Sequence, residues 1–286
     1  MNEYLLHIAV ITLIYATLAT ALDLVVGHAG MFSIAQAAFW GIGAYSTGVL
    51  VVRTGAPFWA GIASGIVIAT IMAIVVSVPT LRLNDELFLI ATFGYQSVTY
   101  SIFNNWTGVT GGPMGIPGIR ISAAVNERMS AIVAVLVCSA SCLLLFRVAS
   151  SPFGRVLHVL REQPITCAAL GKNPLAFRIE AFVLSACISA LMGTVFASYI
   201  SYIDPSSFTV SDSILILTMV IVGGAGSIYG PALGAIVLTV LGETIRFVGL
   251  PTAAAANVRQ LIYGVLLLVM LIVRPRGLTG KFDFIK

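Results

Sequence analysis

Long apolar runs that charged residues rarely interrupt dominate the sequence, and LLLVMLIV at 266–273 belongs to one of them. A helix needs about 20 such residues to cross a hydrocarbon core. With 59% hydrophobic and 9% charged residues among 286, the chain has too few polar side chains to cover a soluble globule. In lipid, each backbone polar group must be paired within its own segment, which a helix achieves. The runs therefore predict an all-α fold class, a polytopic transmembrane helical bundle.

The apolar runs divide the chain into nine candidate spans within a single transmembrane domain, residues 1–286. We place the spans at 4–26, 33–52, 57–78, 86–104, 129–147, 179–202, 209–223, 228–247 and 258–273. The run at 209–223 is short for a full crossing, which favours a partial or tilted helix. The first run is expected to stay in the protein as a helix. Its start, MNEYLLHIAVITL, lacks the basic residues and the cleavage site of a signal peptide.

The basic residues predict the orientation of the bundle, because cytoplasmic loops carry an excess of Lys and Arg. If the loop 148–178 is cytoplasmic, the alternation of spans puts 79–85 and 274–286 on the same side. That side then holds two thirds of the fifteen Lys and Arg residues, namely Arg82, Arg147, Arg155, Arg161, Lys172, Arg178, Arg274, Arg276, Lys281 and Lys286. The N-terminus is then outside, although splitting or merging one span would reverse it.

Histidine and cysteine do not form a recognisable metal, disulfide or catalytic pattern in this sequence. The four cysteines lie in apolar runs or in the basic loop, where they behave as small apolar residues. The three histidines are scattered, so that no zinc-binding motif arises. Nothing combines a basic stripe with exposed aromatic residues, as a nucleic-acid interface would. We therefore predict no metal site, and an intramembrane enzyme is disfavoured.

Two apolar runs are interrupted by similar glycine-rich stretches, VVGHAGMFS at 25–33 and IVGGAGSIYGP at 221–231. Each contains a G-x-A-G tetrad followed by serine. Such breaks could be tight turns or packing contacts. Alternatively, paired interruptions flank a translocation path, where freed backbone groups face water or substrate. The candidate path residues are Gly27, Gly30, Ser33, Gln36, Gly223, Gly224, Gly226 and Ser227.

Charged side chains within the predicted spans are costly in lipid and are therefore candidates for function. Asp23 lies at the end of the first span, and Glu180 and Asp212 lie near the starts of later spans. Glu243 lies inside the eighth span, where Arg246 follows three residues later on the same helix face and could satisfy it. They do not resemble a proton relay or an arginine-rich voltage sensor. A chain without such a relay would need an external source of energy for active transport.

Two polar segments lie between the apolar runs. NWTGVTGGPMGIPGI at 105–119 is rich in turn residues and is predicted to face outside, as a connector or a docking surface. In the basic loop, GRVLHVLRE at 154–162 predicts a short amphipathic helix, and Gly171 is a natural C-terminal stop. This loop could bind a partner protein or anionic lipid.

The sequence resembles permeases of the LivM type, the membrane subunits of ABC importers for branched-chain amino acids. Four stretches carry the resemblance in the same order and spacing, over roughly residues 20–247. They are GHAGMFSIAQAAFWGIGAY, NNWTGVTGGPMGIPGI, SPFGRVLHVLREQPITCAALG and VIVGGAGSIYGPALGA. The resemblance implies a multi-pass protein of the bacterial inner membrane. It also implies a second, LivH-type permease subunit, two cytoplasmic ATPases that hold ATP and Mg²⁺, and a periplasmic binding protein.

The resemblance also suggests roles for the two polar segments. The basic loop would be the ATPase-coupling element, with Gly154, Arg155, Arg161, Glu162, Ala168, Ala169 and Gly171 as candidates. Many relatives have glutamate where this chain has Ala168, so that Glu162 or the arginines would carry any ionic contact. The outer segment would dock the binding protein, through Asn105, Trp106, Thr107, Gly111, Gly112, Pro113 and Pro117.

The implied function is import of branched-chain amino acids or related small solutes by a subunit that is not itself an enzyme and binds no cofactor. Urea, short amides and small carboxylates remain alternative substrates, because importers of this kind commonly leave selectivity to the binding protein. A secondary transporter or channel is the other alternative. It would need a coupling-ion site or a selectivity ring, for which the sequence offers no convincing candidate.

Overall fold

The computed structural model describes residues 2–81, 85–119, 127–169, 171–227, 229–246, 252–273 and 277–279. Within these ranges the chain is a bundle of helices with two strands of two residues each. The helices are α1 Asn2–Asp23, α2 Gln36–Thr54, α3 Phe58–Thr80, α4 Asp85–Asn105, α5 Thr107–Thr110, α6 Glu127–Ser150, α7 Pro152–Glu162, α8 Pro164–Ala169, α9 Pro174–Ile200, α10 Val210–Gly223, α11 Gly230–Arg246 and α12 Thr252–Val273.

Shorter elements complete the described chain. A π-helix, Leu24–His28, continues α1, and 3₁₀ turns lie at Gly112–Met114 and Pro205–Ser207. Strands β1, Ile116–Pro117, and β2, Tyr202–Ile203, pair antiparallel. The structure confirms the all-α class.

Each of the nine predicted spans corresponds to one helix among the described residues. By length and apolar composition, five helical segments of the described chain could cross a membrane. They are Glu3–His28, Phe58–Thr80, Met129–Ser150, Pro174–Ile200 and Pro205–Gly223. The predicted short span at 209–223 is a helix of 14 residues, α10. The assignment of nine crossings and of a single domain stays a prediction.

Small residues let the central helices of the bundle approach each other closely. A Cβ built on Gly43 of α2 would lie 1.8 Å from the Ala190 carbonyl oxygen of α9, and one on Gly193 would lie 2.0 Å from the Trp40 oxygen. In lipid, helix association depends on such packing rather than on water exclusion. Any larger side chain at Gly43 or Gly193 would therefore push α2 and α9 apart.

The outer helices turn apolar side chains away from the bundle. Ile71 and Val75 of α3 and Leu136 and Leu143 of α6 are exposed. Exposed apolar side chains on long apolar helices are suited to contact with lipid or with another membrane subunit.

Different connecting segments lie at the two ends of the bundle. At one end, β1 pairs with β2, and Arg53 at the end of α2 donates to the Gly108 carbonyl oxygen. At the other end lie the glycine breaks, α7, α8 and residues 277–279, whose Leu278 amide donates to the Val222 oxygen at 2.9 Å. The basic loop and the start of the C-terminal segment therefore share one end, as the charge distribution predicts. Arg82, Arg274, Arg276, Lys281 and Lys286 lie outside the described residues.

Candidate functional site

The first glycine break redirects the chain at the end of α1. The helix widens into the π-turn Leu24–His28, and the Met31 amide then donates to the Val25 oxygen at 3.0 Å. Gly30 has φ +74°, a left-handed conformation that costs glycine little. Gly27 has no room for a side chain, because a Cβ there would lie 2.2 Å from the Gly226 nitrogen. The first break therefore depends on glycine for both its turn and its packing.

The second break ends α10 and begins α11. Gly224 has φ +109° and Gly226 has φ +73°. The Ser227 hydroxyl accepts from the Gly230 amide at 2.8 Å and is 2.9 Å from the Thr279 hydroxyl. This serine therefore pairs with the first amide of α11, which has no partner within the helix, and also links the break to residues 277–279.

Asp23 joins the two breaks. Its carboxylate is 2% exposed, and its Oδ1 accepts from the Gly226 amide at 2.8 Å. Its Oδ2 lies 3.3 Å from Nδ1 of His28, which is also buried. A buried carboxylate is tolerated when charge-assisted hydrogen bonds replace its water. The two breaks, about 200 residues apart in sequence, thus form one structural unit.

Helix α7 packs onto this unit from the polar loop. Arg161 donates from a guanidinium nitrogen to the Gly27 carbonyl oxygen. Its aliphatic stem lies against Gly30, where a Cβ would be 2.7 Å from the arginine Cγ. The ring centroids of His158 and His28 are 4.6 Å apart. We call Asp23, His28, Arg161 and the backbone of Gly27 and Gly226 the polar junction.

Burial governs the ionisation of the α7 groups at the junction. Burial lowers the pKa of the Arg161 guanidinium, and the negative charges of Asp23 and Glu162 oppose this shift. Burial lowers the pKa of His158 as well, and the charges of His28 and Arg161 lower it further. The charges of Asp23 and Glu162 raise this pKa and oppose the shift in part. The neutral imidazole is therefore the favoured form of His158 in the folded chain.

The structure brings together six of the eight predicted path residues. Gly27, Gly30, Gly223, Gly224, Gly226 and Ser227 all lie at or beside the junction. Ser33 and Gln36 lie apart from it and are buried. Gln36 is 3% exposed and donates to the Leu18 oxygen at 3.2 Å and the Ser189 hydroxyl at 2.6 Å. In this conformation Gln36 therefore holds helices together, and a role in lining the path stays a prediction.

The predicted amphipathic helix at 154–162 is confirmed as α7. Ser151 caps it, with Pro152 at the first helical position. Leu157 and Leu160 are fully buried against the bundle, and a Cβ on Gly154 would lie 2.0 Å from the Ala149 oxygen. The buried leucines and the absence of a side chain at Gly154 fix α7 tightly on the end of α6.

The other predicted coupling residues divide between an outward face and the junction. Arg155, Glu162, Ala168 and Ala169 are exposed, together with Ile165, which is 84% exposed. Arg161 differs, because it turns inward to the first break. Gly171 has φ +73° and open space around it, which agrees with its predicted role as a helix stop.

The predicted docking segment at 105–119 lies at the opposite end of the bundle. It begins with the last residue of α4, includes the single turn α5 and the strand β1, and Gly111 and Gly112 have positive φ. Gly112 is buried and Gly111 is half-buried. The exposed candidates are Asn105, Trp106, Thr107, Pro113 and Pro117.

Sequence reasoning missed His28 and His158 as parts of one site. It treated the histidines as scattered, and only the contact between α7 and the first break brings these two together. Asp23 could be recognised as an unusual intramembrane charge, but its partner could not. Among the residues that the structure describes, no group of three His, Cys, Asp or Glu side chains could hold a metal ion.

Comparison with known proteins identifies the family. The profile of the family described as branched-chain amino acid transport system / permease component matches residues 4–271. The chain belongs to this family of membrane permeases. The five apolar helical segments of membrane-spanning length among the described residues agree with a multi-pass protein of the inner membrane.

Individual relatives agree with this assignment. The chain is 30% identical over 299 aligned positions to the high-affinity branched-chain amino acid transport system permease protein LivM of Escherichia coli, covering 95% of this chain and 69% of that protein. It is 26% identical to a probable branched-chain amino acid transport permease protein LivM of Methanocaldococcus jannaschii, covering 76% and 67%.

A solved structure has a similar fold. PsaBC from Streptococcus pneumoniae, determined in complex with Fab, aligns with a TM-score of 0.50 over 94% of this chain and 91% of that chain. The sequence identity is 17%, so the similarity concerns the fold alone.

Proposed function

We propose that this chain is the membrane permease subunit of an ATP-driven ABC importer, which moves branched-chain amino acids or related small solutes from the periplasm to the cytoplasm. Its family and its similarity to LivM proteins support this proposal. The observation that carries it is the pair of short helices α7 and α8, which lies between the long helices α6 and α9 in the chain, with α7 packed on the first break. A short helical element in this place can receive force from an ATPase and pass it to the bundle.

The outward face of α7 and α8 has the composition of a protein-docking surface. Val159 and Ile165 are exposed although they lie outside the long apolar helices. Ala168 and Ala169 beside them permit close approach of a partner. Arg155 and Glu162 supply charges of both signs at the edge, where complementary charges favour correct association. We propose that a cytoplasmic ATPase binds this face.

The composition of this face argues against a purely lipid-binding role. A helix that lies on anionic lipid presents basic side chains to the headgroups. Here Arg161 is directed into the junction, and the exposed face carries Arg155 together with the acidic Glu162 and two alanines, so that it is not uniformly basic. A protein partner fits this surface better than a membrane does.

The opposite end of the bundle suits the binding protein. Trp106 and Met114 are exposed, Met114 by 83%, on a segment that the β1–β2 pairing supports. Exposed aromatic and methionine side chains are common at protein interfaces. We propose that the periplasmic binding protein docks here and that a second, LivH-type permease completes the translocation path.

The six path candidates at the polar junction would then form the cytoplasmic end of the path. Five of them are buried and Gly30 is half-buried in this conformation, so that this end of the path would be closed within this chain. Opening would require the breaks to move, and glycines with positive φ can change conformation at little cost. The residues of this chain would gate the solute, while ATP and Mg²⁺ act on the partner ATPases.

Reconstitution with the two ATPases, the second permease and the binding protein tests the proposal. Ala169→Trp adds bulk to the exposed face of α8 and should reduce co-purification of the ATPases and ATP-driven leucine uptake. Ala140→Trp, also at an exposed alanine but on α6, is the matched control and should leave both unchanged. Normal ATPase binding and uptake with Ala169→Trp would contradict a docking role for this face.

A further inference from the structure

We propose that the polar junction is a coupling clamp, which transmits a displacement of α7 to both helix breaks at once. This inference rests on the proposed function, because the clamp needs an ATPase that moves α7. It assigns Asp23 and Arg161 as positioning residues of transport, because Asp23 is buried and the half-buried Arg161 directs its guanidinium to the Gly27 oxygen. Their contacts lie within this chain.

The contacts form a continuous path from α7 to the second break. Arg161 donates to the Gly27 oxygen, and the Gly27 backbone packs on Asp23 and Gly226. Asp23 accepts from the Gly226 amide at 2.8 Å. Each step therefore ends on backbone atoms of a break, so that movement of one member displaces the main chain of the next.

Close packing makes this path stiff. A Cβ on Gly27 would lie 1.9 Å from Asp23 Oδ1, and a Cβ on Gly30 would lie 2.7 Å from Arg161 Cγ. These groups are in direct contact, so that a small displacement of one group must move the next. Packed interfaces of this kind move between discrete arrangements rather than deforming gradually.

The far side of the second break is held as well. The Leu278 and Thr279 amides donate to the Val222 and Gly223 oxygens at 2.9 and 3.0 Å. The second break thus lies between Asp23 and residues 277–279. Movement at Asp23 would change the position of the second break relative to residues 277–279, which is what an opening motion requires.

Close packing alone does not require the charged side chains Asp23 and Arg161 at the polar junction. Apolar side chains of similar size would stabilise a buried contact as well or better than an ion pair. Charge-assisted hydrogen bonds, however, impose direction and can be broken and remade as units. A clamp that switches between two arrangements uses that property.

Two substitutions test the clamp in the reconstituted complex. Asp23→Asn keeps the size of the side chain but removes its charge, and Arg161→Met keeps the aliphatic stem but removes the donors. Both should retain bound ATPase and basal hydrolysis. Binding-protein stimulation of hydrolysis and uptake per ATP should each fall about tenfold, as for the loss of one charge-assisted hydrogen bond.

Controls separate the clamp from a structural role. Arg147→Met removes an exposed arginine at the end of α6, alters net charge equally and should stay coupled. Arg161→Lys retains a cation and should recover part of the stimulation, whereas a residue that only packs would not distinguish Lys from Met. If Asp23→Asn fails to insert, Arg161→Met and Arg161→Lys decide the question.

The outcomes distinguish the clamp from the proposed function. A wild-type complex without ATP-driven uptake would refute the proposed function. A coupled wild type, together with Arg161→Met that is equally coupled, would overturn the clamp alone. Loss of ATPase binding in Arg161→Met would also overturn it, because Arg161 would then act in docking.

Discussion

Gly30→Ala should disturb the contact between the first break and α7 more than its small size suggests. A non-glycine residue in the left-handed region costs about 1–2 kcal/mol, and Gly30 has φ +74°. The added Cβ would also lie 2.7 Å from Arg161 Cγ, well inside normal contact distance, so the arginine must move. Its bond to the Gly27 oxygen is then lost, at a further cost of about 1.5–3 kcal/mol for a hydrogen bond to a charged group.

The expected total for Gly30→Ala is therefore about 2.5–5 kcal/mol. The lost hydrogen bond alone acts on the clamped state, and its part corresponds to about a ten- to hundredfold shift in the population of that state. The measurements are the thermal midpoint in detergent and the binding-protein stimulation of ATP hydrolysis. We expect a lowered midpoint and loss of stimulation.

Gly55→Ala is the matched control. Gly55 has φ +65° at the end of α2, and a Cβ there would meet no atom within 4 Å. It should show only the backbone cost of about 1–2 kcal/mol, with coupling intact. If Gly30→Ala and Gly55→Ala behave alike in both assays, the contact with Arg161 has no role and the reasoning is refuted.

Three further predictions concern other parts of the molecule. Met114→Cys should react with an impermeant thiol reagent added from the periplasmic side, and labelling from the cytoplasmic side alone would reverse the orientation. Gly224→Val should reduce uptake more than Gly224→Ala, because a β-branched side chain tolerates φ +109° poorly; equal, full uptake would show that this glycine is incidental. Burial and the charges of His28 and Arg161 lower the pKa of His158 from its ordinary value of 6.5. As the pH falls below 6.5, His158 therefore takes up a proton in the unfolded chain before it does so in the folded chain, and the stability of the folded chain decreases. The thermal midpoint of wild type should therefore drop more steeply below that pH than that of His158→Gln, and parallel curves would contradict this assignment.

The helices were predictable because their signals are local. An apolar run such as 258–273 has to be helical in lipid wherever it lies, and α12 includes it. The amphipathic pattern of 154–162 likewise predicts α7, because the alternation of leucines and charged residues is contained within eleven residues. The serine and proline at the start of α7 are further local signals.

The polar junction was only partly predictable, because its contacts are between distant segments. The two G-x-A-G tetrads could be recognised as related breaks, but nothing in either tetrad indicates that Gly226 donates to Asp23. The pattern of α7 does not show that Arg161 faces inward while Glu162 faces outward. Such choices depend on how α6 and α9 position α7, and this follows from packing across the whole bundle.

The packing role of Gln36 could not be predicted either, because its hydrogen-bond partners also lie in distant segments of the chain. Its position behind a glycine break suggested a polar residue on a path, whereas its amide bridges α1 and α9 through the Leu18 oxygen and the Ser189 hydroxyl. A polar residue in a span can line a path or join helices. Only the position of its neighbours distinguishes the two roles.

ATP-dependent solute uptake by the reconstituted importer tests the central claim most directly. Liposomes would contain this chain, the LivH-type permease and the two ATPases, with the binding protein and radiolabelled leucine outside and ATP inside. We predict uptake that requires ATP, both ATPases and the binding protein, and that stops when any one of them is omitted. Leucine uptake by this chain alone, without ATP, would contradict the assignment as an ABC permease and favour a secondary transporter or channel.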